Sequence, residues 1–445
     1  MDEDLRPFGI DLETGRLASP CAAGPLRARA HELLRRPRPL RFGLDAHDLR
    51  QAGWGVVWPE DLAPETRDAL APLLDRRRRQ AGERYYELTY AGEPSLRWRR
   101  RWRSGHGPVD PRRMPWYLLV VGDPDTVPHG FETDLSVPCA VGRLPLGDAE
   151  DLAAYAERVR RLEESPPRWA ARRRVLMTAP THPDDDATAL SERRLARPVE
   201  EHLRDRLGAD GSWVLRSVRG AAARKASLVE ALGEPWDLWF FAGHGAYYRC
   251  GHAKQQEFQG SLLCADWQGP RLHPQASPAA QLLTADDLPA GALDGGLAVL
   301  FGCYTAGTAD KDLYDDTDPA LAKASAPRPF VSALARRLLG RHGGALGVLG
   351  HVGRAFDRSF HWHGAGQTTP FEDLATAWLQ GRRAGLAADG FGRRFADLAA
   401  TWMSSYLQGH DAPGDPLDLW IACHDAASWS LLGDPAARLV GGVDD

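Results

Sequence analysis

The sequence predicts an α/β protein built on a mainly parallel sheet with helices on both faces. Three observations carry that reading. The runs WYLLVVG, RRVLMTAP, WDLWFFAG and GLAVLFG are continuously apolar, so each is expected to be a strand buried on both faces. Amphipathic stretches such as DAEDLAAYAERVRRLEE and ARKASLVEALG separate these runs, as crossover helices between parallel strands require. The chain has 445 residues and is 43% hydrophobic, ample for a sizeable core and for two or three domains or subdomains.

Along the chain, residues 1–110 form an N-terminal region of unassigned role. Within it, AGWGVVWP reads as a strand and PETRDALAPLLDRRRRQAGERYYEL as a helix. The run RWRRRWRSGHG, from Arg97 to Gly107, interleaves arginine and tryptophan. A solvated strand or loop with cation–π stacking accounts for it more simply than a nucleic-acid patch. Residues 111–168 form a small α/β subdomain, with strands WYLLVVG and CAVGRLPL and a helix that the prolines of SPPRW stop. Residues 169–445 hold the main alternation. RRVLMTAP leads into a helix with a kink expected at Pro198, and SWVLRSV, ARKASLVEALG and WDLWFFAGHG follow. A long insertion from Ala246 to about Pro289 precedes GLAVLFGC, the helix FVSALARRLLGR and the strand GALGVLGHV. FADLAATWMSSYLQ is helical, and WSLLGDPAARL ends the pattern as a strand or extended tail.

Composition narrows the function classes. A net charge of −5 argues against a general nucleic-acid binder. No run approaches the roughly 20 apolar residues of a membrane span, and MDEDLRPFGIDLETG is no secretory signal. Six scattered cysteines without a CxxC pair are no disulfide framework, so a reduced, cytoplasmic protein is expected. No cofactor is called for.

Two strands end alike. WFFAGHG leaves its strand at His244, and LAVLFGC leaves its strand at Cys303, 59 residues later. Neighbouring strands lie about 4.8 Å apart, so adjacent placement in a parallel sheet would bring a thiol and an imidazole to one edge. That is the geometry of a cysteine nucleophile and its proton-transfer group. The flanking glycines leave backbone N–H groups open, and those of Gly245 and Cys303 are the candidate oxyanion donors.

FAGHG followed by LFGC resembles the caspase-like cysteine peptidases of clan CD, with the gingipain and CHAT branch nearest. YLLVVGDPDTVP, FETDLSVPCAVGRLPL and LLGDPAARL resemble gingipain segments, so the resemblance spans Pro115 to Leu439. It implies a caspase-haemoglobinase fold preceded by a gingipain-like subdomain, a His244–Cys303 dyad, and an endopeptidase with protein substrates. The caspase motif Gln-Ala-Cys-x-Gly is absent, because Gly302 and Tyr304 flank Cys303. With no secretion signal, the resemblance favours an intracellular, regulated protease, such as those of bacterial type III CRISPR defence loci.

In this fold the loop after the first strand helps to line the P1 pocket. Here it carries Asp184, Asp185 and Asp186, which would select a basic P1 residue, arginine first. Helix capping is the simpler use of one of the three. The long acidic stretch after Cys303 is a candidate for activating cleavage, by an upstream protease or in cis, at Lys311 or Lys323. Two alternatives remain in view. One is a zinc site from His244, Cys250, His252 and Cys264, though the spacing fits no standard finger. The other is an inactive caspase-like scaffold.

Overall fold

The computed structural model describes residues 40–439, apart from positions 146, 165–172, 208–212, 268–277, 313, 315–323, 363 and 409–415. A ten-stranded sheet runs through it. In chain order its strands are β1 (Trp54–Pro59), β2 (Tyr85–Tyr90), β3 (Tyr117–Val121), β4 (Ala140–Leu144), β5 (Arg173–Pro180), β6 (Trp213–Gly220), β7 (Leu238–Ala242), β8 (Leu297–Phe301), β9 (Gly347–His351) and β10 (Trp429–Gly433). Their order in space is β2-β1-β3-β4-β10-β9-β8-β7-β5-β6. Every neighbouring pair is parallel except β9–β10. The mainly parallel α/β architecture expected from the apolar runs is therefore present, and β3, β7, β8, β9 and β10 are buried along their whole length.

The expected N-terminal boundary at residue 110 does not coincide with a break in the sheet. β1 pairs with β3 from Trp54↔Tyr117 to Val57↔Val120, and β2 extends the sheet by one further strand. The helix expected to run through YYEL ends earlier, and Tyr85–Tyr90 is strand instead: Tyr85, Tyr86 and Glu87 stay partly exposed at the sheet's edge, so no apolar run marks it in the sequence. The arginine–tryptophan run, expected as strand or loop, is part helix and part loop, with residues 102–107 in the loop. Its first part is helix α2 (Ser95–Arg101), which follows α1 (Ala71–Ala81). Trp98 is fully buried against Phe131, with ring centroids 5.2 Å apart, and its Nε1–H donates to Thr89 O. Arg101 lies over the Trp102 ring at 5.5 Å, so the cation–π stacking expected there is present.

Further helices cover the sheet: α3 (His129–Ser136), α4 (Ala149–Glu164), α5 (Asp186–Ser191), α6 (Arg197–Leu207), α7 (Lys225–Leu232), α8 (Ala333–Leu339), α9 (Thr369–Leu379), α10 (Ala384–Gln408) and α11 (Pro416–Ala427). The break expected at Pro198 lies one turn earlier, as a π turn over Glu192–Ala196 between α5 and α6. The helix read from Phe330 begins three residues later. Phe330–Val331 instead pair with Gly307–Thr308, and Ser332 caps α8 by accepting from Ala335 N–H. Among the described residues no helix is long and apolar enough to cross a membrane.

β10 stitches two half-sheets together, running parallel to β4 and antiparallel to β9. The residue after it, Asp434, is fully buried and accepts from Arg77 Nε at 2.7 Å and Trp54 Nε1 at 3.0 Å. Arg77 is also fully buried and bonds both Glu163 oxygens, at 2.7 and 2.8 Å. Burial disfavours the Arg77 cation, but Asp434 and Glu163 more than reverse that and drive its pKa upward. Removing one member of such a network strands an unpaired buried charge. Arg77→Ala is expected to destabilise the fold by about 3–5 kcal/mol, measured by urea denaturation. A change under about 1 kcal/mol would contradict it.

Candidate active site

β7 and β8 run side by side in parallel register, with Phe301 opposite Ala242. Their continuations, Gly243–His244 and Gly302–Cys303, therefore leave the sheet at the same edge. Gly243 N–H donates to Phe301 O at 3.0 Å. The two backbones then approach so closely that side chains are excluded. A Cβ on Gly245 would lie 1.9 Å from Cys303 O, and one on Gly302 would lie 2.9 Å from Gly243 O. Gly245 faces Leu262 across a short antiparallel bridge. The flanking bonds, Leu263 N–H to His244 O and Ala246 N–H to Ser261 O, make Gly245 a non-hydrogen-bonded position. Its own N–H therefore points away from Leu262, towards the side where Gly302 and Cys303 lie.

His244 has a partner that the sequence reading assigned elsewhere. Asp185 Oδ2 lies 2.9 Å from His244 Nε2 and also accepts from Thr188 Oγ1 at 2.6 Å. Asp185 Oδ1 accepts from Ala187 N–H, capping α5. The preceding residue, Asp184, has φ +58°, a left-handed conformation that aims the capping side chain. Burial alone would raise the Asp185 carboxyl, but the bonds from His244, Thr188 and Ala187 outweigh it and hold the carboxyl well below its ordinary range. Both Asp185 oxygens are thus engaged by His244, Thr188 and Ala187. Asp184 and Asp186, on either side of it, are exposed. His182 completes this corner. It stacks parallel to His244 with centroids 6.1 Å apart, and its Nδ1 lies 3.2 Å from Trp267 O.

Cys303 sits on a tightly tied turn. Tyr304 has φ +62°, costly for a bulky residue, and its N–H donates to Gly353 O at 2.6 Å. Thr305 Oγ1 donates to Leu300 O and accepts from His351 N–H. Cys303 Sγ accepts from Ala355 N–H at 3.4 Å. Burial pushes the thiol pKa up, while the Ala355 N–H and the Arg354 guanidinium pull it part of the way back. Arg354 is itself held by Asp312 Oδ2, at 2.6 and 2.9 Å. Sequence reasoning missed Ala355 and Asp312, and in a lone sequence no local signal marks either.

Lys311 is exposed and forms an isolated bridge with Ala324 at the base of the stretch that follows Cys303. Lys323 lies outside the described residues. The alternative zinc set is not assembled. His244 bonds Asp185, His252 stacks on Tyr248 at 4.7 Å, Cys250 is exposed and Cys264 is buried. Among the described residues no group of three or more His, Cys, Asp or Glu side chains is placed to hold a metal ion.

Comparison with known proteins gives the family. Residues 111–440 match the model of peptidase family C25. The chain belongs to peptidase family C25. It is thus a caspase-like cysteine peptidase of clan CD and a hydrolase. The C25 fold is also seen in solved structures. The Arg-specific cysteine proteinase gingipain R matches with a TM-score of 0.51 and 12% identity, over 90% of this chain and 80% of that one. A second protease structure matches with a TM-score of 0.52 and 14% identity, over 88% of this chain and 79% of that one. A search of curated proteins gives no match.

The Cys303 environment of this C25 peptidase fixes a pH dependence. With its folded pKa raised, the thiol stays protonated at neutral pH, and the thiolate forms only as pH rises beyond the usual thiol value of about 8.5. Iodoacetamide alkylation of Cys303 in the substrate-free protein should therefore have its midpoint above that value. In Arg354→Ala the midpoint should move higher still. A midpoint near 6 in the unsubstituted protein would contradict the assignment of burial as the dominant effect.

Proposed function

We propose that this C25 peptidase is an endopeptidase with Cys303 as nucleophile, His244 as proton-transfer group and Asp185 as the residue that orients His244. The parallel register of β7 and β8 carries this reading, because it brings the thiol and the imidazole to one edge of the sheet. The Asp185 bond engages Nε2 and leaves Nδ1 for proton transfer. Cys303 Sγ attacks the scissile carbonyl carbon, and its proton passes to His244. The tetrahedral oxyanion is held by the N–H groups of Gly245 and Cys303, each worth about 3 kcal/mol in the transition state. His244 then protonates the leaving amine as the C–N bond breaks, giving a thioester. A water molecule, deprotonated by His244, cleaves the thioester and releases the thiol.

For the P1 residue, a basic side chain remains the best reading. Asp184 and Asp186 flank Asp185 and give this corner an excess of negative charge beside His244. Arg354, whose charge acts on the thiol, is paired with Asp312, which weakens its repulsion of an incoming guanidinium. The arginine specificity of gingipain R is consistent with this preference. Regulation by cleavage after Lys311 or Lys323 fits the exposure of Lys311 next to Asp312, which is bound to Arg354.

A P1-varied peptide library tests the whole reading. Cleavage is expected after arginine and then lysine; preferred cleavage after aspartate or leucine would overturn the P1 assignment. Cys303→Ala and His244→Ala should each abolish turnover with the fold intact. Asp185→Asn should lower kcat about 10²–10⁴-fold, the range typical of impaired acid–base catalysis, with a smaller effect on KM. If processing occurs in cis, the intact mass of the Cys303→Ala chain should exceed that of the largest wild-type fragment. An active wild-type chain of full uncleaved mass would remove it.

A further inference from the structure

Beneath the thiol lies a carboxyl that the proposed reaction does not use. Asp425, on α11, is fully buried. Its Oδ1 accepts from Phe356 N–H at 2.9 Å and its Oδ2 accepts from Ser359 Oγ at 2.6 Å. Its charged surroundings compensate it poorly. The Arg394 guanidinium on α10 is 3.9 Å away. His351 Nε2, at the end of β9, is 3.5 Å away, and burial pushes that imidazole down to about 3, so it brings no positive charge. Asp357 adds a like charge nearby, and burial pushes the Asp425 carboxyl up to about 7. A helix that turns an acid into such a core accepts a desolvation penalty that apolar packing would have avoided.

Both hydrogen bonds of this acid go to one segment, residues 353–359. The same segment touches the thiol: Ala355 N–H donates to Cys303 Sγ, and Gly353 O accepts from Tyr304 N–H. Asp312 holds Arg354 from the outer side, and the Tyr314 ring packs on Phe356 with centroids 4.8 Å apart. Ala355 thus lies between a pin at Arg354 and pins at Phe356 and Ser359. We propose that Asp425 is a positioning residue for the nucleophile: by fixing Phe356 and Ser359 it aims the Ala355 N–H at Cys303 Sγ. The inference rests on Cys303 being the nucleophile.

The sign of one measurement separates positioning from a simple charge effect. The negative charge of Asp425 raises the Cys303 pKa, so loss of charge alone would move the alkylation midpoint to lower pH. Loss of the aimed N–H would move it to higher pH, because a donor favours the thiolate. In Asp425→Ala, folded by near-ultraviolet circular dichroism, the iodoacetamide midpoint should move up and kcat should fall at least tenfold with KM within threefold. Asp425→Asn keeps an acceptor oxygen for Phe356 N–H and should recover much of that loss. A folded Asp425→Ala with an unchanged or lowered midpoint and near-normal kcat overturns the proposal. Should Asp425→Ala fail to fold, Ser359→Ala removes one pin alone. It should raise the midpoint and lower kcat about threefold, and no change in either overturns the proposal. Cys303→Ala keeps the two readings apart. Residual turnover there defeats the nucleophile assignment, whereas a dead Cys303→Ala beside an unshifted Asp425→Ala defeats only the positioning.

Discussion

The guanidinium of Arg77, enclosed between Glu163 and Asp434, is the contact on which the architecture turns. It links α1, α4 and the residue that follows β10 through buried charges. Asp434 adds Trp54 Nε1 of β1 and the N–H of Ala436, and its own N–H donates to Tyr155 OH. Each bond has a long sequence separation, 357 residues for Arg77–Asp434 and 380 for Trp54–Asp434. An uncompensated charge here would be untenable, so the network admits only one seating of β10. Arg143, also buried, bonds Glu132, Gly122 O and Val127 O from β4, which faces β10 across the seam.

From that seam the constraint passes to the edge where the thiol stands. β10 fixes β9 through five antiparallel pairs. His351, the last residue of β9, is wedged between Phe301 and Trp429, and its N–H donates to Thr305 Oγ1 two residues beyond the thiol. The segment 353–359 departs from this point. The edge is therefore assembled from the ends of β5, β7, β8 and β9, with Asp185, His244, Cys303 and Ala355 contributed in turn. Two non-glycine residues in left-handed conformation, Asp184 and Tyr304, stand next to the two groups that need the most exact aim. Such backbone strain persists only where surrounding packing over-determines it.

The legible part of this arrangement was the part written in local apolar pattern. The runs ending at His244 and Cys303 were continuous enough to be read as buried parallel strands, and their shared edge followed from topology. Residues 85–101 are poorly legible, because β2 is half exposed at the sheet's edge and the arginines around Trp98 mask the buried stripe of α2. The triplet Asp184–Asp186 shows a different limit. All three have the same local signature, and only a contact across 59 residues distinguishes Asp185. Asp312 and Asp425 were invisible for the same reason: a carboxylate in a polar loop and one in an amphipathic helix look ordinary until the fold shows what they hold.

The place of β10 in the chain sets an order of events during synthesis. His244 and Cys303 emerge from the ribosome long before Trp429–Gly433, yet β10 lies between β4 and β9 in the finished sheet. Until it is made, β9 lacks a neighbour on one side, Arg77 lacks Asp434, and the segment beside the thiol lacks Asp425. A nascent chain thus carries His244 and Cys303 while the edge that places them is unfinished. Completion of the sheet by a late strand separates the synthesis of these two side chains from the closing of the edge that holds them.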